Sequence, residues 1–470
     1  MLNWAMAFAF KRGASVDRSF VFGKVHEYLF LCGGCFLIQM RWQCSAHFLR
    51  SVGRVRNGLS TFSKAQYESI FFYARMIIGT NISIHCLSLE MNVVVRKLKN
   101  GWLAALCFMA VLAGWLALLS CSPKEPVRLG FLGGLSGRFS DLGLDGRDGA
   151  LLAVEMRNKA GGLKGRTIQL ITRDDQQNPE VASLAMAQLI DLKVSAIIGP
   201  MTSSMAVVVV PQANSARIVL LSPTVTASSL SGLDDFFFRI VAATTLYAKT
   251  SADDHFQRLG LRKIAVIADQ RNAAYTDSWF NDYHAAFVAR GGKVVKNIRY
   301  LSGPSTLFAD LARQLVNAQA DGVLIIANSV DAAMLIQHVR RFDASIAIAT
   351  SEWAATERLI ELGGQAVEGI TVAQFIDRQS TQPTYVKFRQ DYAGRFGREP
   401  GFSGLTAFEA TNVVLDALEQ QLPGQSLKDA LIARKRFPGV QEAVVFDDYG
   451  DTSRATYPAT VAGGLFITLH

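Results

Sequence analysis

"VRLGFLGGLSGRFSDLGLDGRDGALLAVEMRNKAGGLKGRTIQLITRDD" (residues 127–175) decides the fold. It opens on a short apolar run that ends in Gly133-Gly134, the pattern of a buried strand. "GRDGALLAVEMRNKAGG" (146–162) then reads as a helix. Ala150, Leu151, Val154 and Asn158 share one face, and Gly161-Gly162 supply the stop. "RTIQLITRDD" (166–175) reads as the next strand. Strand, helix and strand in this order predict a parallel pair with a crossover helix.

The rhythm continues outward. "PEVASLAMAQLID" (179–191) is a helix that Pro179 opens at a position where its missing N–H is harmless. "VSAIIGP" (194–200) and "RIVLLSP" (217–223) are strands on either side of a helix, "SSMAVVVVPQANSA" (203–216). A second series begins after about residue 245. Its strands are "KIAVIAD" (263–269), "GVLIIAN" (322–328), "IAIATSE" (346–352) and "GITVAQF" (369–375). Its helices include "DSWFNDYHAAFVARGG" (277–292) and "STLFADLARQLVNAQA" (305–320). The expectation is an α/β protein of two doubly wound parallel-sheet lobes.

Upstream of residue 127 the chain changes character. Residues 102–119 are an apolar run, preceded by Arg96, Lys97 and Lys99 and followed by Ser120-Cys121. A basic segment, an apolar segment and a small residue at the boundary make an export signal. "LLSC" resembles the lipobox of bacterial lipoproteins, in which the cysteine is lipidated; an 18-residue transmembrane anchor is the plainer alternative. Signals of this kind begin at an N-terminus, so 1–90 is expected to be a spurious extension, 91–120 the lipoprotein signal peptide and 121–126 the tether. Ser122, where by resemblance an aspartate favours inner-membrane retention, points to the outer membrane. "CGGC" (Cys32, Cys35), with Cys44 and His47, is the one thiol cluster, and no strand–helix frame surrounds it.

The net charge of +9 invites a nucleic-acid reading, and its distribution removes it. Residues 1–121 hold 13 of the 48 basic residues and 4 of the 39 acidic ones, which leaves 35 of each beyond Cys121. A neutral body has no basic stripe for phosphate backbones. All six cysteines also lie at or before Cys121, so the body offers neither a thiol nucleophile nor a thiolate metal site. Its histidines, His255, His284, His338 and His470, have no metal-ligand spacing. "GPMTSS" is not a G-x-S-x-G elbow, and "GFLGGLSG" lacks the G-x-G-x-x-G order. No enzyme, cofactor or metal is expected.

Ligands of open α/β sheets sit beyond the C-terminal ends of the strands. In the first lobe those ends are "GGLSGRFSDLG" (133–143), "GPMTSS" (199–204) and "SPTVTASS" (222–229), rich in hydroxyls and in backbone N–H groups that suit a carboxylate. In the second they bring Tyr275, Asn328-Ser329 and Glu352-Trp353. A zwitterion held between the lobes satisfies both sets. Each residue also has a structural reading: Ser203 as a helix cap, Thr226 as a turn residue, Glu352 as a solvated charge, Tyr275 and Trp353 as packing.

Across these loops, and in "NKAGGLKGRTIQL", "AIIGPMTSSMA", "VLLSPTVTASSL", "FFFRIVAATTLYA", "KIAVIADQRNAAYTDSW" and "GQAVEGITVAQF", the chain from 127 to 470 resembles the periplasmic leucine/isoleucine/valine-binding proteins. These are substrate-binding components of branched-chain amino acid ABC importers. The resemblance implies a type I periplasmic binding fold with a three-strand hinge. It places one lobe at 127–244 with 376–443 and the other at 245–375 with 444–470. It implies that Ser203 and Thr226, helped by backbone near Val225, hold the ligand's α-carboxylate, that Glu352 pairs with the α-ammonium, and that Tyr275 walls the pocket. Leu142 stands where a tyrosine is common, Asn328-Ser329 where larger aromatics occur, and Trp353 where glycine is expected; Gln177 and Thr202 replace a cysteine pair of some members. The implied partners are an ABC permease and, through lipid on Cys121, the periplasmic face of a membrane. A ligand-sensing receptor, or an outer-membrane lipoprotein that regulates a cell-wall enzyme, is the alternative on the same fold.

Overall fold

The computed structural model describes residue 109 and residues 125–469, apart from 138, 139 and 375. The expected extension, signal peptide, "CGGC" cluster and Cys121 lie outside the described residues. The chain divides into Met1–Cys121 and Ser122–His470. Everything below concerns the second unit.

The first lobe is built on β1 (Val127–Gly133), β2 (Ile168–Asp174), β3 (Ile197–Ile198), β4 (Leu220–Ser222) and β5 (Phe237–Arg239). Their order is β2-β1-β3-β4-β5, and every pair is parallel. Helices α1 (Asp141–Lys159), α2 (Pro179–Asp191) and α3 (Ser203–Ala216) connect them. Pro179 opens α2 as expected, and Asn178 caps it by accepting from the Glu180 and Val181 amides at 2.9 and 3.0 Å.

Helix α4 (Thr244–Asp253) leads into the second lobe, which carries β6 (Lys263–Asp269), α5 (Ala273–Ala289), β7 (Lys293–Tyr300), α6 (Phe308–Val316), β8 (Gly322–Ile326), α7 (Ser329–Phe342), β9 (Ala347–Thr350), α8 (Glu357–Gly363) and β10 (Thr371–Gln374). The chain then returns to the first lobe with α9 (Pro383–Phe396), α10 (Phe402–Gln420), α11 (Leu427–Arg434) and a two-stranded ribbon of β11 (Arg436–Phe437) and β12 (Val444–Val445). It finally adds β13 (Tyr457–Ala462) and β14 (Leu465–Thr468) to the second sheet, whose order is β14-β13-β10-β9-β8-β6-β7. That sheet is mixed: β13 runs antiparallel to both β10 and β14. Three crossings between lobes follow, near residues 240–243, 376–382 and 453–456.

Two expectations change. Helix α1 begins at Asp141 rather than Gly146, so the tail of the 133–143 loop is helical. Gly143, Gly146 and Gly149 look like loop residues, yet they form a bare stripe on α1. A Cβ on Gly143 would strike the carbonyl of Gly134, and one on Gly149 that of Gly404 at the start of α10. The stripe is a close-packing surface. The third crossing also comes later than residue 444. The Gly450 carbonyl accepts from the Arg239 amide at 3.1 Å, and Asp451 takes the buried Arg239 guanidinium at 2.7 Å. Residues 444–452 therefore belong with the first lobe.

Candidate functional site

In both sheets the strand order reverses at the first strand of the lobe: β2-β1-β3 in one and β7-β6-β8 in the other. The crevice outside the strand ends at such a reversal is where open α/β sheets bind ligands. The two reversals supply one cavity here. Leu142, at the start of α1, and the Met201–Ser203 turn after β3 come from the first lobe, with Thr224 after β4 and Phe402 at the start of α10. Asn272 and Tyr275 after β6, and Glu352 and Trp353 after β9, come from the second. The cavity has about 20 Å³ of free volume, roughly the space of a single water. An amino acid enters only if the lobes part. Roomier surface grooves exist, such as that along α1 and α9, but no converging charged and hydroxyl groups from two lobes line it.

Five of the residues expected from sequence meet here: Leu142, Ser203, Tyr275, Glu352 and Trp353. Val225 and Thr226 do not line this cavity. Both are buried behind it, and the Val225 amide is committed to Ser222 Oγ at 3.0 Å. Thr226 accepts the Thr244 amide through its carbonyl at 2.7 Å, while its own hydroxyl has no hydrogen bond. Asn328 turns inward instead: it caps α7 by accepting the Asp331 amide at 3.0 Å, and its Nδ2 donates to Asp269 at 3.3 Å. Met201, Thr224, Asn272 and Phe402 were not singled out in the sequence. Phe402 is set by a long-range contact. Asp145 on α1 accepts from the Gly401 and Gly404 amides and the Ser403 hydroxyl, which anchors the N-terminus of α10.

Ser203 opens α3, where backbone N–H groups lack helical partners. Its hydroxyl accepts from the Ala227 amide at 3.3 Å. The next amide, Ser204, donates to Asn272 Oδ1 of the opposite lobe at 3.0 Å. Facing this end is Glu352, 4% exposed. Trp279 Nε1 donates to Glu352 Oε2 at 2.8 Å. Glu352 Oε1 makes no hydrogen bond of regular geometry, and neither do the buried hydroxyls of Tyr275 and Ser351, although Tyr275 stands close enough to both Ser351 and Glu352 to act on the carboxyl electrostatically. Burial pushes Glu352 up to about 7, against the pull of Trp279 and Tyr275. Burial, reinforced by the Glu352 charge, raises Tyr275 well above its ordinary range. The Tyr275 and Trp353 rings meet edge-on, centroids 5.6 Å apart. One wall thus offers helix-end donors and hydroxyls, the other an unmet carboxylate oxygen framed by aromatic rings.

Among the described residues, no cluster of three His, Cys, Asp or Glu side chains could hold a metal ion, and no helix is long and apolar enough to cross a membrane.

The sequence profile of a family described as periplasmic binding protein matches residues 126–464. A similar protein is the Leu/Ile/Val-binding protein homolog 3 of Brucella melitensis, 24% identical over 245 residues, which are 52% of this chain and 66% of that one; the chain thus spans just under two thirds of that relative. Among solved structures, the branched-chain amino acid transporter substrate-binding protein LivJ of Streptococcus pneumoniae, in complex with isoleucine, superposes with a TM-score of 0.68 at 20% identity, covering 73% of this chain and 99% of that one. A solute-binding protein of an ABC transporter from R. palustris, in complex with benzoate, does so with a TM-score of 0.67 at 19% identity, covering 73% and 95%. At these identities the superpositions establish the fold.

Proposed function

This chain belongs to the periplasmic binding protein family, and from that premise we propose that it captures a small amino acid, branched-chain or related, between its lobes and delivers it to an ABC permease. Members of this family are extracytoplasmic binding proteins rather than enzymes. We propose further that Cys121 carries the lipid that tethers the protein to the periplasmic face of a membrane, the outer one favoured.

One observation carries the reading: the buried Glu352 Oε1 faces the cleft with no hydrogen bond of regular geometry, only the Tyr275 hydroxyl standing close to it. An unmet carboxylate oxygen costs several kcal/mol unless a donor arrives. An α-ammonium is such a donor, with the Tyr275 hydroxyl beside it. The α-carboxylate then falls to the Ser203 hydroxyl at the N-terminal end of α3. Thr226 and the backbone at Val225 belong to this grip only if the loop after β4 rearranges, because neither lines the cavity. Leu142, Trp353, Met201 and Phe402 give the side chain an apolar surround.

Calorimetric titration of the full chain with the twenty amino acids and with benzoate tests this. Binding of an aliphatic or aromatic amino acid is expected, and ligand at 100 times its Kd should add roughly 2.7 kcal/mol of stability. Equal affinity for an acid with no ammonium group removes the assignment.

A further inference from the structure

Asp141 is the first residue of α1, on the first lobe, and its Oδ2 accepts two hydroxyls from the second lobe. Ser329, which opens α7, donates at 2.7 Å, and Thr356, the N-cap of α8, donates at 2.8 Å. Both donors are buried, Ser329 at 1% exposure and Thr356 at 7%. They also sit at the positive ends of their helices, which favours a carboxylate there. Charged acceptors make hydrogen bonds about twice as strong as neutral ones. Apart from the Arg378–Glu357 ion pair beside the second crossing, three further bonds across the cleft join neutral groups: the Ser204 amide to Asn272, the Ala274 amide to Ser204 Oγ at 3.2 Å, and the Ser228 amide to Ser278 Oγ at 3.0 Å.

We propose that Asp141 is a positioning residue, a latch that draws the lobes together through Ser329 and Thr356 and so sets the affinity of the cleft without touching the ligand. The location supports this. Leu142, the neighbour of Asp141, lines the cavity, and Thr356 lies four residues beyond Glu352. Forming the latch brings the Leu142 wall and the Glu352 wall to their facing positions. Because apparent affinity scales with the population of the binding-competent form, losing the latch weakens binding by the factor by which it reduces closure. This consequence rests on the cleft being the ligand site; the latch itself does not, and it is tested without ligand.

Three backbone amides report lobe opening directly. Those of Ser204, Ala274 and Ser228 donate only across the cleft. In the ligand-free full chain, Asp141→Ala should speed their hydrogen exchange about tenfold, while amides inside α1, such as Leu152, keep their protection. The pair Ser329→Ala with Thr356→Val should give the same acceleration from the other lobe, and the combination with Asp141→Ala should add little more. Asp141→Asn, which keeps an acceptor oxygen, should recover part of the protection. Unchanged exchange at the three amides, fully additive effects, or no recovery in Asp141→Asn would each overturn the latch. Should the latch hold while no amino acid binds, the ligand assignment alone fails.

Discussion

The Trp279 indole N–H reaches Glu352 Oε2 at 2.8 Å, with both side chains buried. Trp279 is itself held in a stack, its ring 5.5 Å from Tyr283, which lies 5.3 Å from Phe287. The carboxylate at the cleft is therefore aimed by the core of the second lobe. Trp279→Phe keeps the stack and deletes the donor. Stability is expected to fall by about 1–3 kcal/mol, measured by urea unfolding. Amino-acid affinity should fall too, because Glu352 loses a bond that favours its charged form.

Glu352→Gln separates binding from stability. The amide keeps the shape and removes a charge that burial disfavours, so unfolding free energy at pH 8 should hold or rise. Binding of an amino acid should weaken by about 2–5 kcal/mol, since the ammonium then lacks its counter-charge. Calorimetry and denaturation on the same preparation check both directions. Loss of stability together with unchanged affinity would assign Glu352 a packing role.

Binding should depend on pH with a definite sign. Burial raises Glu352 to about 7, so the ligand-free protein holds a proton there that an ammonium ligand must expel. Affinity should rise about tenfold per pH unit below 7 and level off above it. A ligand without an ammonium group gives a flat or opposite profile. For the ligand-free protein, the same raised carboxyl contributes stability that is fully present below its unfolded value and lost as pH rises through about 7. Burial of Asp175 and Asp269, each raised to about 6, acts in the same direction.

The third crossing is fixed by two ion pairs, one of them almost wholly buried. Arg454 pairs with Glu409 at 2.6 Å and Glu442 at 3.1 Å, and Glu409 also accepts the Val440 amide. Arg454→Met strands Glu409 in the interior and should cost about 3–5 kcal/mol. Adding Glu409→Gln should return part of it. Equal stability of the wild type and the single variant in guanidinium unfolding would show that the network contributes nothing.

The helix packing of the first lobe makes the last prediction. A methyl at Gly149 collides with the Gly404 carbonyl, and backbone cannot swing away as a side chain can. Gly149→Ala should therefore destabilise by about 1–3 kcal/mol or more, lowering the melting temperature by several degrees. An unaltered melting curve would mean that α1 and α10 slide apart freely.

Local pattern alone determined most of the fold. The α2 and α3 segments, and the strand "KIAVIAD", carry their pattern within their own residues, so their bounds in the structure match those read from the chain. The loops that would face a ligand followed as well, because alternating strands and helices define which strand ends share a side. What tertiary structure decided is which atoms of those loops are left over. Leu142, Ser203, Tyr275, Glu352 and Trp353 converge, whereas Val225 spends its amide on Ser222 and Asn328 spends its side chain on α7 and Asp269. Asn272, Phe402 and the Asp141 latch bear no local mark. Each owes its place to partners far along the chain, such as Ser204, Asp145, Ser329 and Thr356. A buried polar group must find a partner wherever the fold provides one, and that pairing is set by the packing of two lobes rather than by any stretch of neighbouring residues.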